Sequence, residues 1–181
     1  MIEKVIKKDI IYHGIGIDFF CDEIELPNST IVKREYISHP GAAAILPFID
    51  KENIILVKQY RYPIGQVTYE IPAGKINEGE TPLECAIREL EEETGYRAKK
   101  LEKILSFYPT VAFSNEIIYV FVAFDFEIGK QIIDEDEFVL REIVSFKEAI
   151  KMIKTGKIMD SKTIIALIYF ENIFEYKESI L

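Results

Sequence analysis

The 23 residues from Gly74 to Tyr96 constrain the fold more than any other stretch of the chain. A short extended run, Val67–Ile71, leads through Pro72-Ala73-Gly74 into a helix that is marked at both ends. Thr81 can cap it, Pro82 suits the first helical position, and Glu84 completes a capping box three residues after Thr81. Gly95 closes it where the backbone turns left-handed. Leu83, Ala86, Ile87 and Leu90 recur at i, i+3, i+4 and i+7, which predicts the stripe that faces the core. At about 100° per residue, Glu89, Glu92 and Glu93 share an arc beside that stripe and not opposite it. Glu84, Arg88 and Glu91 fall on another side.

The elements around this helix predict a mixed architecture. Strands are expected around Ile10–Glu25 and Ile31–Ser38, joined by the turn-forming Pro27-Asn28-Ser29, as a small antiparallel sheet. Ala42–Ile49 and Ile54–Tyr60 flank Asp50-Lys51-Glu52-Asn53 and read as a second hairpin with more deeply buried strands. Ile104–Tyr108, Glu116–Phe126 and Phe138–Val144 follow as strands. A second helix starts at Ser145, with Glu148 in the capping-box position, and stops near Gly156; a third, apolar and buried, runs from Ser161 to Phe174. Strands, helix, strands, helices make a mixed α/β (α+β) sandwich, not alternating βα units. Residues 1–38 are expected to form an N-terminal antiparallel β-sheet region and 39–181 the main domain.

Composition excludes several function classes. The 22 Lys and Arg against 31 Asp and Glu give a net charge of −9, the wrong sign for gripping a phosphate backbone. A nucleic-acid partner is therefore not expected. Cys21 and Cys85 form no C-x-x-C pair, which argues against a disulfide scaffold and suits a reducing cytoplasm. The N-terminus carries no secretory-type apolar core, and no run of 18 uncharged apolar residues suggests a membrane span. Gly14-Ile15-Gly16 lacks the third glycine of a dinucleotide fingerprint, and Asp134–Glu137 lacks the glycine of a calcium loop and reads as an exposed turn. His13 and His39 have no partners at zinc spacing, and Cys85 reads as a packing residue.

The chemistry concentrates on the first helix. Three carboxylates at i, i+3 and i+4 repel one another by a few tenths of a kcal/mol per pair in water, and more when partly buried. One reading is a solvated acidic face. The other is a hard divalent cation, since Mg²⁺ takes oxygen ligands from one or two carboxylates together with a substrate phosphate. The spacing favours the second. Gly74, Glu80, Arg88-Glu89-Leu90, Glu92-Glu93, Gly95 and Tyr96 fit G-x5-E-x7-R-E-U-x-E-E-x-G-U, where U is apolar. This resembles the Nudix box of the Nudix hydrolases; Tyr96 stands where an aliphatic residue is more common. Physically, Gly74 is expected to permit a tight loop that turns the Ala73 carbonyl toward the helix, and Arg88 to brace that loop through Glu80.

The resemblance implies a Nudix fold, a mixed β-sheet sandwiched between helices, and hydrolysis of a nucleoside diphosphate linked to another group with Mg²⁺ or Mn²⁺. It implies Glu89, Glu92, Glu93 and the Ala73 carbonyl as metal ligands, with Glu92 as ligand or base. Outside the box, His39-Pro40-Gly41-Ala42, Gln59-Tyr60-Arg61, Glu70-Ile71-Pro72-Ala73-Gly74-Lys75, Phe113-Ser114-Asn115-Glu116, Asp134-Glu135-Asp136-Glu137-Phe138 and Gly156-Lys157-Ile158 through Lys162-Thr163 are similar to ADP-ribose pyrophosphatases. That subfamily implies Glu116 at the metal centre as the base, with Glu92 and Glu93 as rivals. It implies Arg61, beside Tyr60, against the substrate phosphates, and Glu70 either on a ribose or structural. It also implies a homodimer formed through the N-terminal sheet. Tyr12, Phe19, Phe20 and Tyr36 read first as core or interface in that region, ahead of adenine stacking. One departure bears on substrate: Val111 and Ala112 stand where the subfamily usually has Pro-Gly, and Pro109 falls two residues early. GDP-mannose, NADH and dinucleoside polyphosphates therefore remain alternative substrates, and a non-catalytic nucleotide-sensing module an alternative function.

Overall fold

The structure, a computed structural model, describes residues 1–131 and 138–173. Asp134–Glu137 and Phe174 lie outside the described residues. Backbone contacts divide the chain into two units, Met1–Gly41 with Tyr108–Ile117, and Ala42–Phe107 with Ile118–Leu181.

In the first unit, β3 (Asp18–Glu25) is the centre of a four-stranded antiparallel sheet. β1 (Lys4–Lys7) and β2 (Ile10–His13) line one edge of β3 in succession, and β4 (Ile31–Ser38) pairs along the other. The expected strand Ile10–Glu25 is thus two strands, β2 and β3. They are broken by a turn in which the Gly14 amide donates to the Ile17 carbonyl at 3.1 Å. A Cβ at Gly14 would sit 2.4 Å from that oxygen, so only glycine fits. Phe20 and Tyr36 lie opposite each other on β3 and β4 and stack at 5.2 Å; both, like Phe19, are half-buried, while Tyr12 is exposed.

The second unit holds two further sheets. One has the order β8-β5-β10-β9, from β5 (Ala42–Pro47), β8 (Ala73–Lys75), β9 (Tyr96–Phe107) and β10 (Ile118–Ile128). The other has the order β11-β6-β7, from β6 (Asn53–Arg61), β7 (Gln66–Glu70) and β11 (Val139–Ser145). The expected hairpin of Ala42–Ile49 with Ile54–Tyr60 does not form: β5 pairs in parallel with β10 and antiparallel with β8, while β6 joins the other sheet. Only the bridge Phe48–Ile54 links the two strands. The Asp50 carboxylate accepts from the Glu52 and Asn53 amides, both at 2.8 Å, and closes a turn that redirects the chain. Ala43, Ala44, Ile45 and Leu46 are all fully buried, so β5 needs neighbours on both edges and both faces. β9 starts eight residues before the expected Ile104, because its first half is charged. It lies at the end of the sheet order, where charges guard an open edge.

Period-two alternation along β5 and β10 divides the core. Ala43, Ile45, Phe121 and Ala123 pack with Cys85, Ala86 and Leu90 of α1 (Pro82–Thr94). Ala44, Leu46, Val120 and Val122 pack with Ala149 and Met152 of α2 (Phe146–Lys154) and with Ala166 and Leu167 of α3 (Ser161–Asn172). The mixed sheet is thus sandwiched between helices, as the pattern predicts. Among the described residues, no helix is long and apolar enough to cross a membrane.

The α1 boundaries follow the sequence. Thr81 Oγ1 accepts from the Glu84 amide at 3.3 Å, the Glu84 carboxylate accepts from the Thr81 amide at 2.8 Å, and Gly95 is left-handed at φ 72°. Removing this cap with Thr81→Ala is expected to cost about 1 kcal/mol. In a chain of this size that lowers the thermal midpoint by roughly 2–4 °C, read by calorimetry. The buried face of α1 departs from the expected stripe. Leu83 is exposed and Ile87 half-buried, whereas Cys85, Ala86, Leu90, Glu93 and Thr94 are buried. The burial centre is rotated by roughly 60° toward the glutamates at 100° per residue, because β8 and β5 supply partners on that side.

Candidate active site

The site grows from the junction of β7, β8 and α1. β8 runs antiparallel to β5 with Gly74 opposite Ala43, which holds the Ala73-Gly74 backbone beneath the helix. The Ala73 amide donates to Glu93 Oε2 at 3.1 Å. A Cβ on Gly74 would lie 1.8 Å from Glu89 Oε1 and 2.0 Å from its Cδ. Gly74 belongs to a strand and not to the tight loop expected of it, and its φ is not positive. A side chain at position 74 would take the space that the Glu89 carboxylate occupies, so Glu89 would have to move aside.

Arg88 ties the helix to the loop. Its Nε donates to Glu80 Oε1 at 2.8 Å and its Nη2 to Glu80 Oε2 at 3.0 Å, the fork-to-fork pair anticipated between them. Nη2 also donates to the Lys75 carbonyl at 3.1 Å. The same guanidinium reaches Glu89 Oε1 at 2.6 Å and Glu92 Oε2 at 2.9 Å through Nη1. Helical spacing groups Arg88 with Glu84 and Glu91, but its long stem swings the charge across to the carboxylates that would repel one another most. These hydrogen bonds, first that to Glu80, raise the Arg88 pKa further, and they lower that of Glu80. Cys85 is buried, with Sγ 3.5 Å from the Gly74 carbonyl and 3.4 Å from that of Lys75. Burial pushes its thiol up to about 12, so it stays protonated and packs.

A second charged group lies at the ends of β6 and β7. Arg61 Nε and Nη2 bind Glu70 Oε1 and Oε2 at 2.8 and 2.7 Å. Thr68 Oγ1 donates to Glu70 Oε1, and Lys162 Nζ donates to Glu70 Oε2. Glu70 is 2% exposed, while the Arg61 side chain remains 43% exposed. Burial alone would raise the Glu70 carboxyl; Arg61 and Lys162 outweigh it and hold the group down at about 2, against an ordinary 4.5. The folded value lies below the unfolded one, so the network stabilises the fold above about pH 4.5 and loses that contribution as pH falls toward 2. The amount is on the order of 3 kcal/mol. Unfolding measured at pH 6, 4 and 3 is expected to show a steeper acid loss in the native protein than in Glu70→Gln; parallel curves would assign the loss elsewhere. Arg61 is drawn further toward its charged form first by Glu70, then by the charges of Glu93 and Asp160, which links this group to the helix carboxylates.

A profile of the NUDIX domain matches residues 38–166. The chain belongs to the NUDIX-domain family. It is 45% identical over 171 residues to an ADP-ribose pyrophosphatase of Bacillus subtilis strain 168, a match that covers 93% of this chain and 92% of that one. It is 42% identical, over the same shares, to a methanol dehydrogenase activator of Bacillus methanolicus. A crystal structure of an ADP compounds hydrolase superposes with a TM-score of 0.82, over 94% of this chain and 93% of that one. At 18% identity, that likeness is one of fold.

Within this NUDIX framework the structure gathers Gly74, Glu80, Arg88, Glu89, Glu92 and Glu93 into one cluster and Arg61 with Glu70 into another. Glu116 belongs to the first unit, where His39 Nδ1 lies 3.7 Å from its Oε1 and its own amide donates to Ser114 Oγ at 3.1 Å. Tyr60 is exposed, and Val111 stands at 81% exposure in its loop. Among the described residues no three His, Cys, Asp or Glu side chains already surround a common point. The donor set nonetheless fits a hard divalent ion: carboxylate oxygens on the inner side of α1, with Glu92 at the rim and the Ala73-Gly74 backbone beneath. Lys162 lies in the C-terminal run that resembles the ADP-ribose pyrophosphatases, but an isolated lysine in an apolar helix carries no spacing signal for a role, and its contact with Glu70 is visible only in the structure.

Proposed function

We propose that this NUDIX hydrolase cleaves the diphosphate bond of ADP-ribose. Water adds its oxygen to one phosphorus, the bridging P–O bond breaks, and AMP and ribose 5-phosphate leave as phosphate monoesters, with two protons released when both products are dianions. The observation that carries the reading is the Glu89 carboxylate seated where a Gly74 side chain would be, beside Glu93 on the Ala73 amide. The relationship to the Bacillus subtilis ADP-ribose pyrophosphatase supports the substrate.

Glu89, Glu93, Glu92 and the Ala73 carbonyl are the groups that would hold Mg²⁺, with Mn²⁺ as a substitute; the resemblance to the ADP-ribose pyrophosphatases is what adds Glu116. A divalent ion bound there would neutralise diphosphate charge and supply a nucleophile at neutral pH. Arg88 holds Glu89 and Glu92 in place and fastens the helix to Glu80. Arg61 offers the diphosphate a planar donor fork, with Glu70 behind it and Tyr60 alongside. Glu116 takes the proton from the attacking water, Glu92 and Glu93 being the other carboxylates able to do so.

Incubation of purified protein with ADP-ribose, GDP-mannose, UDP-glucose, NADH and diadenosine polyphosphates tests the reading. The expected result is Mg²⁺-dependent formation of AMP from ADP-ribose at the highest kcat/KM of the panel. Preference for another member reassigns the substrate, a change that the exposed Val111 would account for. Tight binding without turnover of any member would indicate a nucleotide sensor. A cytoplasmic homodimer fits this function. The exposed Ile10, Ile11, Tyr12 and Ile15 of the first unit offer an apolar surface for a second copy. Light scattering is expected to give twice 21.0 kDa.

A further inference from the structure

We propose that Lys162 is a positioning residue for Arg61: through Glu70 it fixes the edge of the guanidinium that is presented to the substrate diphosphate. The inference rests on the diphosphatase reading above and assigns a role to a residue that touches no substrate.

Glu70 is hydrogen-bonded on every side. Its Oε1 accepts from Thr68 Oγ1 at 2.5 Å and from Arg61 Nε at 2.8 Å; its Oε2 accepts from Arg61 Nη2 at 2.7 Å and from Lys162 Nζ. A terminal carboxylate torsion is otherwise broad and soft. Here four donors from three side chains fix its plane. A guanidinium bound along one edge by such a carboxylate has its own plane fixed too, which leaves Nη1 as the nitrogen that Glu70 does not hold. Lys162 itself has little freedom. Its Nζ lies 3.0 Å from Asp160 Oδ1. Asp160 Oδ2 caps α3 by accepting from Thr163 N at 2.9 Å and Thr163 Oγ1 at 2.6 Å, and Thr163 Oγ1 accepts from the Ile71 amide at 2.8 Å. Asp160, Lys162, Glu70 and Arg61 therefore form a line of alternating charges from the start of α3 to the exposed guanidinium.

Two consequences of removing Lys162 point the same way. The Glu70 carboxylate loses one of its four restraints and can carry Arg61 with it. The line also changes from neutral to net negative, which opposes an incoming diphosphate. Substrate binding should weaken while the carboxylates of α1, and the chemistry there, stay as they were.

Lys162→Met is expected to raise KM for ADP-ribose about tenfold with kcat within about threefold, and Lys162→Arg to restore most of the loss. In an Arg61→Ala background, Lys162→Met should change KM by no more than about threefold, the effect of the charge alone, because the guanidinium it positions is already gone. The Arg61 Nε–H cross-peak in nitrogen–proton NMR, assigned by its loss in Arg61→Ala, should be slow to exchange in the native protein and broadened in Lys162→Met. An unchanged KM, full additivity with Arg61→Ala, or an unchanged cross-peak would overturn the proposal and leave Lys162 as a purely structural cation. If Lys162→Met does not fold, Asp160→Asn, which keeps a capping side chain and removes the carboxylate that holds Lys162, should broaden the Arg61 Nε–H cross-peak; an unchanged cross-peak overturns the proposal. A native protein that turns over no member of the panel refutes the diphosphatase reading, while the cross-peak still decides whether Lys162 holds Arg61.

Discussion

Glu93→Gln is expected to lower kcat for ADP-ribose on the order of a thousandfold or more while the protein stays folded. Glu93 is 6% exposed, and its Oε2 accepts from the Ala73 amide. A glutamine carbonyl can accept the same bond, so β8 and α1 stay joined and the thermal midpoint should move little. What disappears is a negative charge on the inner face of the helix. Titration with Mn²⁺, followed by electron paramagnetic resonance, should show weaker binding in parallel with the lost turnover. Retained activity would remove Glu93 from the reaction and shift the chemistry to Glu89 and Glu92.

Gly74→Ala is the second large effect, and it arises from shape alone. The new Cβ would stand 1.8 Å from Glu89 Oε1 and 2.4 Å from Oε2, so the Glu89 carboxylate must leave its position. It sits at the end of a flexible side chain and can swing away, so the stability cost should be about 1–3 kcal/mol, the range for overpacking. With Glu89 as a ligand of the divalent ion, as proposed, its displacement by more than 1 Å should cost about a hundredfold in kcat. It also breaks the 2.6 Å bond from Arg88 Nη1 to Glu89. Kinetics and calorimetry on the same sample separate the two effects. A fully active Gly74→Ala would mean that Glu89 works from another position.

Local signals were legible wherever one short segment decides the structure. The Thr81 cap, the Pro82 start, the Gly95 stop and the Arg88–Glu80 pair each depend on residues within a turn or two of one another. Local pattern and structure diverge where distant segments compete. Asp50–Asn53 looks like a hairpin turn, and it does bend the chain, but β5 is taken by β10 and β8 because its two buried faces and two edges need more than one neighbour. The buried face of α1 differs from the apolar stripe for a related reason. Leu83 and Ile87 are apolar, yet the strands lie on the side of Cys85 and Glu93, and position relative to the sheet outweighs hydropathy. The Nudix box gave the cluster of glutamates. It could not give the link from Lys162 to Glu70, which spans 92 residues and depends on how α3 docks.

That link bears on the timing of maturation. The Ile71 amide, just before the strand beneath Glu89 and Glu93, is bonded to Thr163, and Glu70 beside it to Lys162, each across 92 positions. Contacts of such long sequence separation close late, since the loop between them must first be drawn in. A nascent chain halted anywhere before Thr163 can wind its glutamate helix but cannot anchor the strand end that aims Arg61. Catalytic competence should thus emerge only after α3 has been made and has docked against that strand end.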